Sequence, residues 1–326
     1  MWKTVLTVML TVAIAACQKP ASQSTAPLQK ITVAATYQPE CSLIHIAVAN
    51  GYFAGEGLDV RLLMHTFGRQ ALQSVIENKA DFATVAETPI MFSILKGEKI
   101  FVLATMVTSS TNTAVLARKE AGIKAPADLL GKRVGFTPGT TSDFFLDSLL
   151  TANGLKRQNI QLVPLKPEEM PDAIMAGKVD AVSTFSYPLI RIKQQLGASG
   201  LVFHDRHLYT ETFNIVAQQN FVHNNTQTVE RFLRALIKAE EFAEKNTDQA
   251  QAIVADATKI NKNLVRELWN ALTFRVALDR TLLIALEDET RWATKFSQHT
   301  KMPNYDNFIY QDSLKAVKFE AVKAFR

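Results

Sequence analysis

One sixteen-residue cassette occurs twice, and a chain that repeats it must build the same small unit in two places. The first copy runs from Ser74 to Pro89 and contains Asn78-Lys79-Ala80-Asp81, then Phe82-Ala83-Thr84-Val85-Ala86, then Glu87-Thr88-Pro89. The second runs from Ala173 to Pro188 and contains Gly177-Lys178-Val179-Asp180, then Ala181-Val182-Ser183-Thr184-Phe185, then Ser186-Tyr187-Pro188. The two copies lie 99 residues apart throughout. Each reads as a helix end, a tight turn at Asn78 or Gly177, Lys-x-Asp, a short apolar strand, a polar loop, and a Pro opening the next helix. In open α/β sheets, ligands bind at the carboxyl ends of strands. Two such loops therefore predict two similar α/β lobes facing one ligand, with Glu87, Thr88, Ser186 and Tyr187 as candidate contacts. The Lys-x-Asp and Pro positions read as turn and helix-start chemistry.

The chain has 326 residues, enough for two domains. Its net charge of +5 is spread along the sequence with no block of Lys or Arg, so no nucleic-acid partner is inferred. The start, Met1-Trp2-Lys3 and then an apolar stretch from Val5 to Ala16, is short for a membrane span and has the form of a secretory signal. It closes on Ile14-Ala15-Ala16-Cys17, which resembles a bacterial lipobox. That resemblance implies cleavage before Cys17, lipidation of Cys17, and anchoring to a membrane from the periplasm or cell surface. Cys41 would then be the only free thiol, which excludes a disulfide framework. Gln18 to Lys30 is polar, with Pro and Ser, and reads as a flexible tether.

Strands are predicted at Ile31–Ala35, Gly57–Leu62, Ile100–Met106, Thr113–Arg118, Ile160–Leu165, Gly200–Phe203 and Phe213–Gln218. Gly51 reads as a left-handed cap after the helix Leu43–Asn50, and His65-Thr66-Phe67-Gly68-Arg69 opens another helix, a place where backbone amides can hold an anion. The strongest cradle is Thr137-Pro138-Gly139-Thr140-Thr141-Ser142, a Gly-bearing polar loop before the helix Asp143–Ala152. It lacks the Gly-Lys-Ser/Thr of a nucleotide-binding loop. Beyond it, Thr226–Lys245 is amphipathic, with Val229, Phe232, Leu233, Leu236 and Ile237 on one face. Helical segments follow at about Asn261–Leu278, Thr281–Gln298 and Ser313–Phe325.

Thr113–Arg118 and Phe213–Gln218 read as strands that cross between lobes. The expected organisation is residues 1–16 signal peptide, 17–30 lipidated Cys and tether, 31–112 plus 210–326 lobe one, and 113–209 lobe two. Two hinge strands permit closure over a ligand.

Three ordered segments carry a family resemblance. They are Ala47-Val48-Ala49-Asn50-Gly51-Tyr52-Phe53 with Glu56-Gly57-Leu58-Asp59-Val60, then Pro126 to Gly135, then Gly177-Lys178-Val179-Asp180-Ala181. They resemble the signatures of substrate-binding proteins of ABC importers, in the branch for nitrate, sulfonate, taurine and thiamine-pyrimidine ligands. The likeness covers about residues 31 to 220. It implies a type II periplasmic-binding fold, a small-molecule ligand, an ABC permease with its ATPase as partners, and a monomer with no cofactor. The implied ligand contacts are Tyr37, Gln38, Cys41, Ser42, Gly68, Arg69, Glu87, Thr88, Ser109, Ser110, Gly139, Thr140, Thr141, Phe185, Ser186 and Tyr187. Pyrimidine-binding members resemble this region but carry a histidine where Cys41 stands. The cysteine-rich motif of the yeast pyrimidine synthases is absent.

Glu40 and Glu87 near the site would oppose a bare anion unless Arg69 or the helix starts dominate. Tyr37, Phe67, Phe185 and Tyr187 could stack an aromatic ligand. The expected ligand is a small organic anion such as a sulfonate, with an aromatic or heterocyclic compound as the alternative. An enzyme is not expected. There is no Gly-x-Ser-x-Gly elbow, and no Cys or carboxylate cluster completes a metal site around His204 and His207. A surface lipoprotein acting as a sensor is the reading from another class.

Overall fold

The computed structural model describes residues 27–295 and 301–323. The signal segment, Cys17 and most of the tether lie outside the described residues. The strands are β1 (Gln29–Thr36), β2 (Leu58–His65), β3 (Phe82–Ala86), β4 (Ile100–Ser109), β5 (Thr113–Arg118), β6 (Arg133–Phe136), β7 (Gln161–Pro164), β8 (Ala181–Phe185), β9 (Gly200–Phe203), β10 (Glu211–Gln218) and β11 (Thr273–Ala277). They form two mixed sheets, ordered β11-β4-β10-β3-β1-β2 and β7-β6-β8-β5-β9. The chain leaves the first sheet after Ser109, enters the second at Thr113, leaves it after Phe203 and rejoins the first at Glu211.

The repeated cassette has a structural cause. β3 runs parallel to β1, with Phe82 beside Val33, and β8 runs parallel to β6, with Ala181 beside Val134. Asn78 and Gly177 both take left-handed backbone, at φ 56° and 67°. Each Lys-x-Asp aspartate then locks the start of its strand to the neighbour. Asp81 accepts the Thr32 amide on Oδ2 at 2.7 Å while its own amide donates to the Thr32 carbonyl at 2.9 Å. Asp180 does the same with Arg133, at 2.9 and 2.8 Å. The repeat is therefore a strand-alignment device, one per sheet.

The polar loops expected after each cassette strand are absent. Helices Glu87–Leu95 and Ser186–Leu196 begin on the residue after each strand, so Glu87, Thr88, Ser186 and Tyr187 are first-turn residues. A first turn has free backbone amides, and polar side chains suit it as well as they suit a loop.

The apolar stripe of Thr226–Lys245 sits where its period places it. Val229, Phe232, Leu233 and Leu236 are fully buried, Ile237 is partly buried, and Phe232 stacks on Phe82 with centroids 4.1 Å apart. The segment Asn261–Leu278 is not one helix. Its helix stops at Trp269, and Thr273–Ala277 becomes the edge strand β11 against β4, as its aromatic and β-branched residues favour. A separate helix, Thr247–Thr258, precedes it. The helix expected at Thr281–Gln298 spans Arg280–Thr294, and the last helix is Asp312–Val317. No helix among the described residues is long and apolar enough to cross a membrane.

Candidate functional site

Residues at or just beyond the carboxyl ends of β1, β2, β3, β6 and β8 line a gap between the two sheets. A cavity of about 20 Å³, room for about one water, lies there. Its lining includes Gln38, Phe67, Gly68, Arg69, Thr140, Thr141, Phe185, Glu211 and Phe213. A cavity of about 410 Å³ adjoins it through Arg69 and Pro89 and reaches Pro138 and Gly139. Another of about 220 Å³ adjoins it through Gln38 and Phe185, with Tyr37, Tyr187, Pro167, Pro171, Pro188 and Arg191 in its wall. The cleft is thus narrow at its centre and open on both flanks.

Gly68 lets the first wall come close. A Cβ there would lie 2.9 Å from Val85 Cα, so only glycine allows helix Gly68–Ile76 to start against β3. Arg69 follows on the first turn and crosses the cleft, its Nη1 donating to the Pro138 carbonyl at 2.9 Å. Gly139 has φ +68°, and its amide donates to Asp143 Oδ2 at 2.9 Å. Asp143 is in turn paired with Arg157 at 2.7 Å.

The hydroxyls of the expected cradle divide. Thr140 Oγ1 donates to the Thr137 carbonyl at 2.8 Å, and Ser142 Oγ donates to the Ser183 carbonyl at 2.9 Å. Both shape the loop. Thr141, at the start of helix Thr141–Ala152, lines the cavity and is not tied into the loop by its hydroxyl as Thr140 and Ser142 are.

Two further buried polar residues line the cavity, each with a hydrogen-bonding atom that has no partner among the described residues. Gln38 is 6% exposed and its side-chain amide makes no hydrogen bond. Glu211 is 4% exposed; its Oε2 accepts from Asn112 Nδ2 at 3.0 Å and Thr113 Oγ1 at 3.2 Å, while Oε1 accepts nothing. Buried polar groups are ordinarily hydrogen-bonded, so donors and acceptors left facing a cavity mark where a ligand or water satisfies them.

Several expected contacts turn inward instead and line none of these three cavities. Cys41 is fully buried, its Sγ 3.1 Å from Thr36 Oγ1 and 3.0 Å from Thr84 Oγ1. Burial pushes its thiol up to about 11. Ser42 Oγ donates to the Pro39 carbonyl and Ser109 Oγ to the Ala271 carbonyl, each at 2.5 Å. Ser186 Oγ donates to Glu40 Oε2 at 2.8 Å. Thr88 Oγ1 donates to Glu289 Oε1. Glu87 accepts from the Tyr209 hydroxyl and from the amide and hydroxyl of Thr212, the last two at 2.7 and 2.8 Å.

Glu211 in the cavity wall belongs to a cluster of four buried carboxyls that continues behind it with Glu40, Glu87 and Glu289. None of them forms an ion pair with a Lys, Arg or His among the described residues. Asn112 Nδ2 bridges two of them, donating to Glu40 Oε1 at 2.7 Å as well as to Glu211. Burial pushes all four carboxyls above the ordinary range, Glu211 and Glu289 well above it. The charges of Glu40 and Glu87 add to the effect on Glu211. No group of three or more His, Cys, Asp or Glu side chains among the described residues could hold a metal.

Glu211, Asn112, Tyr209 and Glu289 were not among the residues that sequence reasoning marked. Glu211 is the first residue of a strand of otherwise ordinary composition, and nothing in its neighbours sets it apart.

The sequence profile of proteins described as NMT1/THI5 like matches residues 38–250. The chain belongs to the NMT1/THI5-like family. Among curated relatives, the formylaminopyrimidine-binding protein of Halalkalibacterium halodurans is 24% identical over 263 residues, covering 78% of this chain and 79% of that protein. Among solved structures, the periplasmic aliphatic sulphonate binding protein of Escherichia coli superposes with a TM-score of 0.75 at 16% identity, covering 87% of this chain and 92% of the other. The nitrate-binding protein of Synechocystis PCC 6803 gives 0.74 at 14% identity, covering 90% and 89%. The fold of this family member is therefore that of the periplasmic binding proteins, two α/β lobes around a cleft.

Proposed function

We propose that this chain is the extracytoplasmic solute-binding component of an ABC importer, and not an enzyme. It would capture a small organic molecule between lobe one (31–112 with 210–326) and lobe two (113–209), close over it and deliver it to a permease. The observation that carries this reading is the inter-sheet cavity. Gln38, Gly68 and Arg69 reach it from one side and Thr140, Thr141 and Phe185 from the other, with buried polar groups unsatisfied at its wall. A ligand that touches both lobes binds the closed form better than the open one and so shifts the population toward closure. Secretion and lipidation at Cys17 rest on the amino-terminal sequence. Relatives named for binding a formylaminopyrimidine and sulphonates support a small-molecule ligand.

Arg69 and the start of helix Thr141–Ala152 suit an acidic group, as a sulfonate would require. Tyr37, Phe185 and Tyr187 beside the centre suit a flat or apolar portion. Thermal unfolding against a panel of sulfonates, amino acids, nitrate and aminopyrimidines tests the reading. A midpoint that rises with ligand concentration for one class supports it, and the same class should lose its effect in Arg69→Ala.

A further inference from the structure

The sulfonate expectation leaves Glu211 unexplained. It lines the cavity, it is nearly fully buried, and one of its oxygens has no donor among the described residues. Whenever it is ionised, such a group repels a purely anionic ligand. Glu40 behind it has a donor on each oxygen, from Asn112 and Ser186. Glu87 accepts from Tyr209 and Thr212, and Glu289 from Thr88. Glu289 Oε2 also lacks a partner among the described residues, but Glu289 lines none of the three cavities; of the four acids only Glu211 is in the wall of the central cavity. Among the described residues, the only basic side chain lining that cavity is Arg69, which is exposed and reaches to the Pro138 carbonyl.

Resting on the solute-binding reading above, we propose that the ligand carries a protonated amine or amidine whose N–H groups bind Glu211 Oε1. Gln38 and Thr141 complete that end of the site, since both are buried polar residues that line the cavity. Where the ligand also has an acidic group, Arg69 and the start of helix Thr141–Ala152 receive it. The ligand class is then a compact amine, amidine or zwitterion rather than a simple anion.

A cationic ligand should leave a signature in the unmutated protein. In the empty site the crowded carboxyls hold protons that they would give up in water, because their charges are buried and close together. A cation arriving at Oε1 ionises Glu211, and the displaced proton leaves to buffer. An anion accepting a hydrogen bond from protonated Glu211 would leave that proton in place, or draw one in where the empty site is partly ionised. Proton release therefore separates the two ligand classes.

The test is calorimetric titration of the purified protein with matched probes: taurine against isethionate, β-alanine against 3-hydroxypropionate, and benzamidine against benzamide. Each pair differs mainly in the cationic group. Each probe is titrated at one pH in phosphate and in Tris, whose protonation heats differ. The expected result is that cationic members bind at least about 30-fold more tightly than their partners, with proton release, and that Glu211→Gln removes the preference. Equal or tighter binding of the neutral or purely anionic members, proton uptake, or no binding by any cationic probe overturns the inference. Binding by the anionic members alone would overturn it while leaving the solute-binding reading intact. The absence of any stabilising solute in the wider panel would instead count against both.

Discussion

Asn112 Nδ2 donates to Glu211 Oε2 at 3.0 Å, and the two residues lie on the two chain segments that pass between the sheets. Asn112 is in the outgoing crossing after β4, and Glu211 opens β10 as the chain returns. The same amide reaches Glu40 at 2.7 Å, so one side chain holds both crossings and the segment after β1 together at the base of the cleft.

Replacing Asn112 with Ala should therefore cost about 1–3 kcal/mol, because it removes a donor from each of two buried carboxyls, leaving Glu40 with Ser186 and Glu211 with Thr113. Asn112→Asp should cost more, and its cost should grow between pH 5 and pH 8 as a further acid joins the cluster. Urea unfolding at both pH values measures this. Equal stability of the wild type and both variants would remove the amide from its bridging role.

The buried acids make stability depend on pH in a fixed direction. Glu40, Glu87, Glu211 and Glu289 are all raised above their ordinary value of 4.5. The folded state then holds more protons than the unfolded chain above that pH. This contribution is fully present below the unfolded value and is lost as pH rises through the folded values, at about 1.4 kcal/mol per pH unit for each proton held. Unfolding free energy should be higher near pH 5 than near pH 8, and Glu289→Gln should flatten the difference. A curve that rises across this range would contradict the cluster's protonation.

Gly68→Ala should weaken ligand binding more than an average surface change. The added methyl meets the β3 backbone at 2.9 Å, so the start of helix Gly68–Ile76, and Arg69 with it, must move. A stability loss of about 1–3 kcal/mol should accompany it. Gly139→Ala forces a left-handed residue at φ +68° and crowds Arg69 Nη1 at 3.4 Å, with a backbone cost of about 1–2 kcal/mol. Both variants should remain folded by circular dichroism, and normal affinity in both would place the ligand elsewhere.

Cys41 should resist thiol reagents until the protein unfolds. Its side chain is buried, held by Thr36 and Thr84, and its thiol is raised to about 11, so little thiolate exists near neutral pH. Rapid labelling of the native protein with a chromogenic disulfide, blocked by ligand, would place Cys41 at the cleft as the sequence resemblance implied.

Much of this architecture was legible in the sequence because it rests on local, periodic signals. The cassette fixed β3 and β8, the apolar stripe fixed Thr226–Lys245, and Thr113–Arg118 marked the first strand of the second sheet. The edge strand Thr273–Ala277 was hidden because five residues after a helix carry too little pattern to outweigh helical continuation. Among the residues that line the central cavity, Gly68, Arg69, Thr140 and Thr141 could be read from helix starts, while Gln38 and Phe185 came as contacts implied by the family resemblance. The direction of a first-turn side chain could not be read. Thr88 meets Glu289 from 201 positions away, and Glu87 meets Thr212 from 125. The acid cluster is assembled wholly from such distant pairs, so no window of sequence contains it.

Small-angle scattering of the purified protein, with and without whichever solute raises its unfolding midpoint, tests capture between the lobes. A solute held between the two lobes should decrease the radius of gyration, and Arg69→Ala should suppress the decrease at the same solute concentration. Saturating solute that stabilises the protein equally in wild type and Arg69→Ala, with no compaction in either, would contradict capture in the inter-lobe cleft.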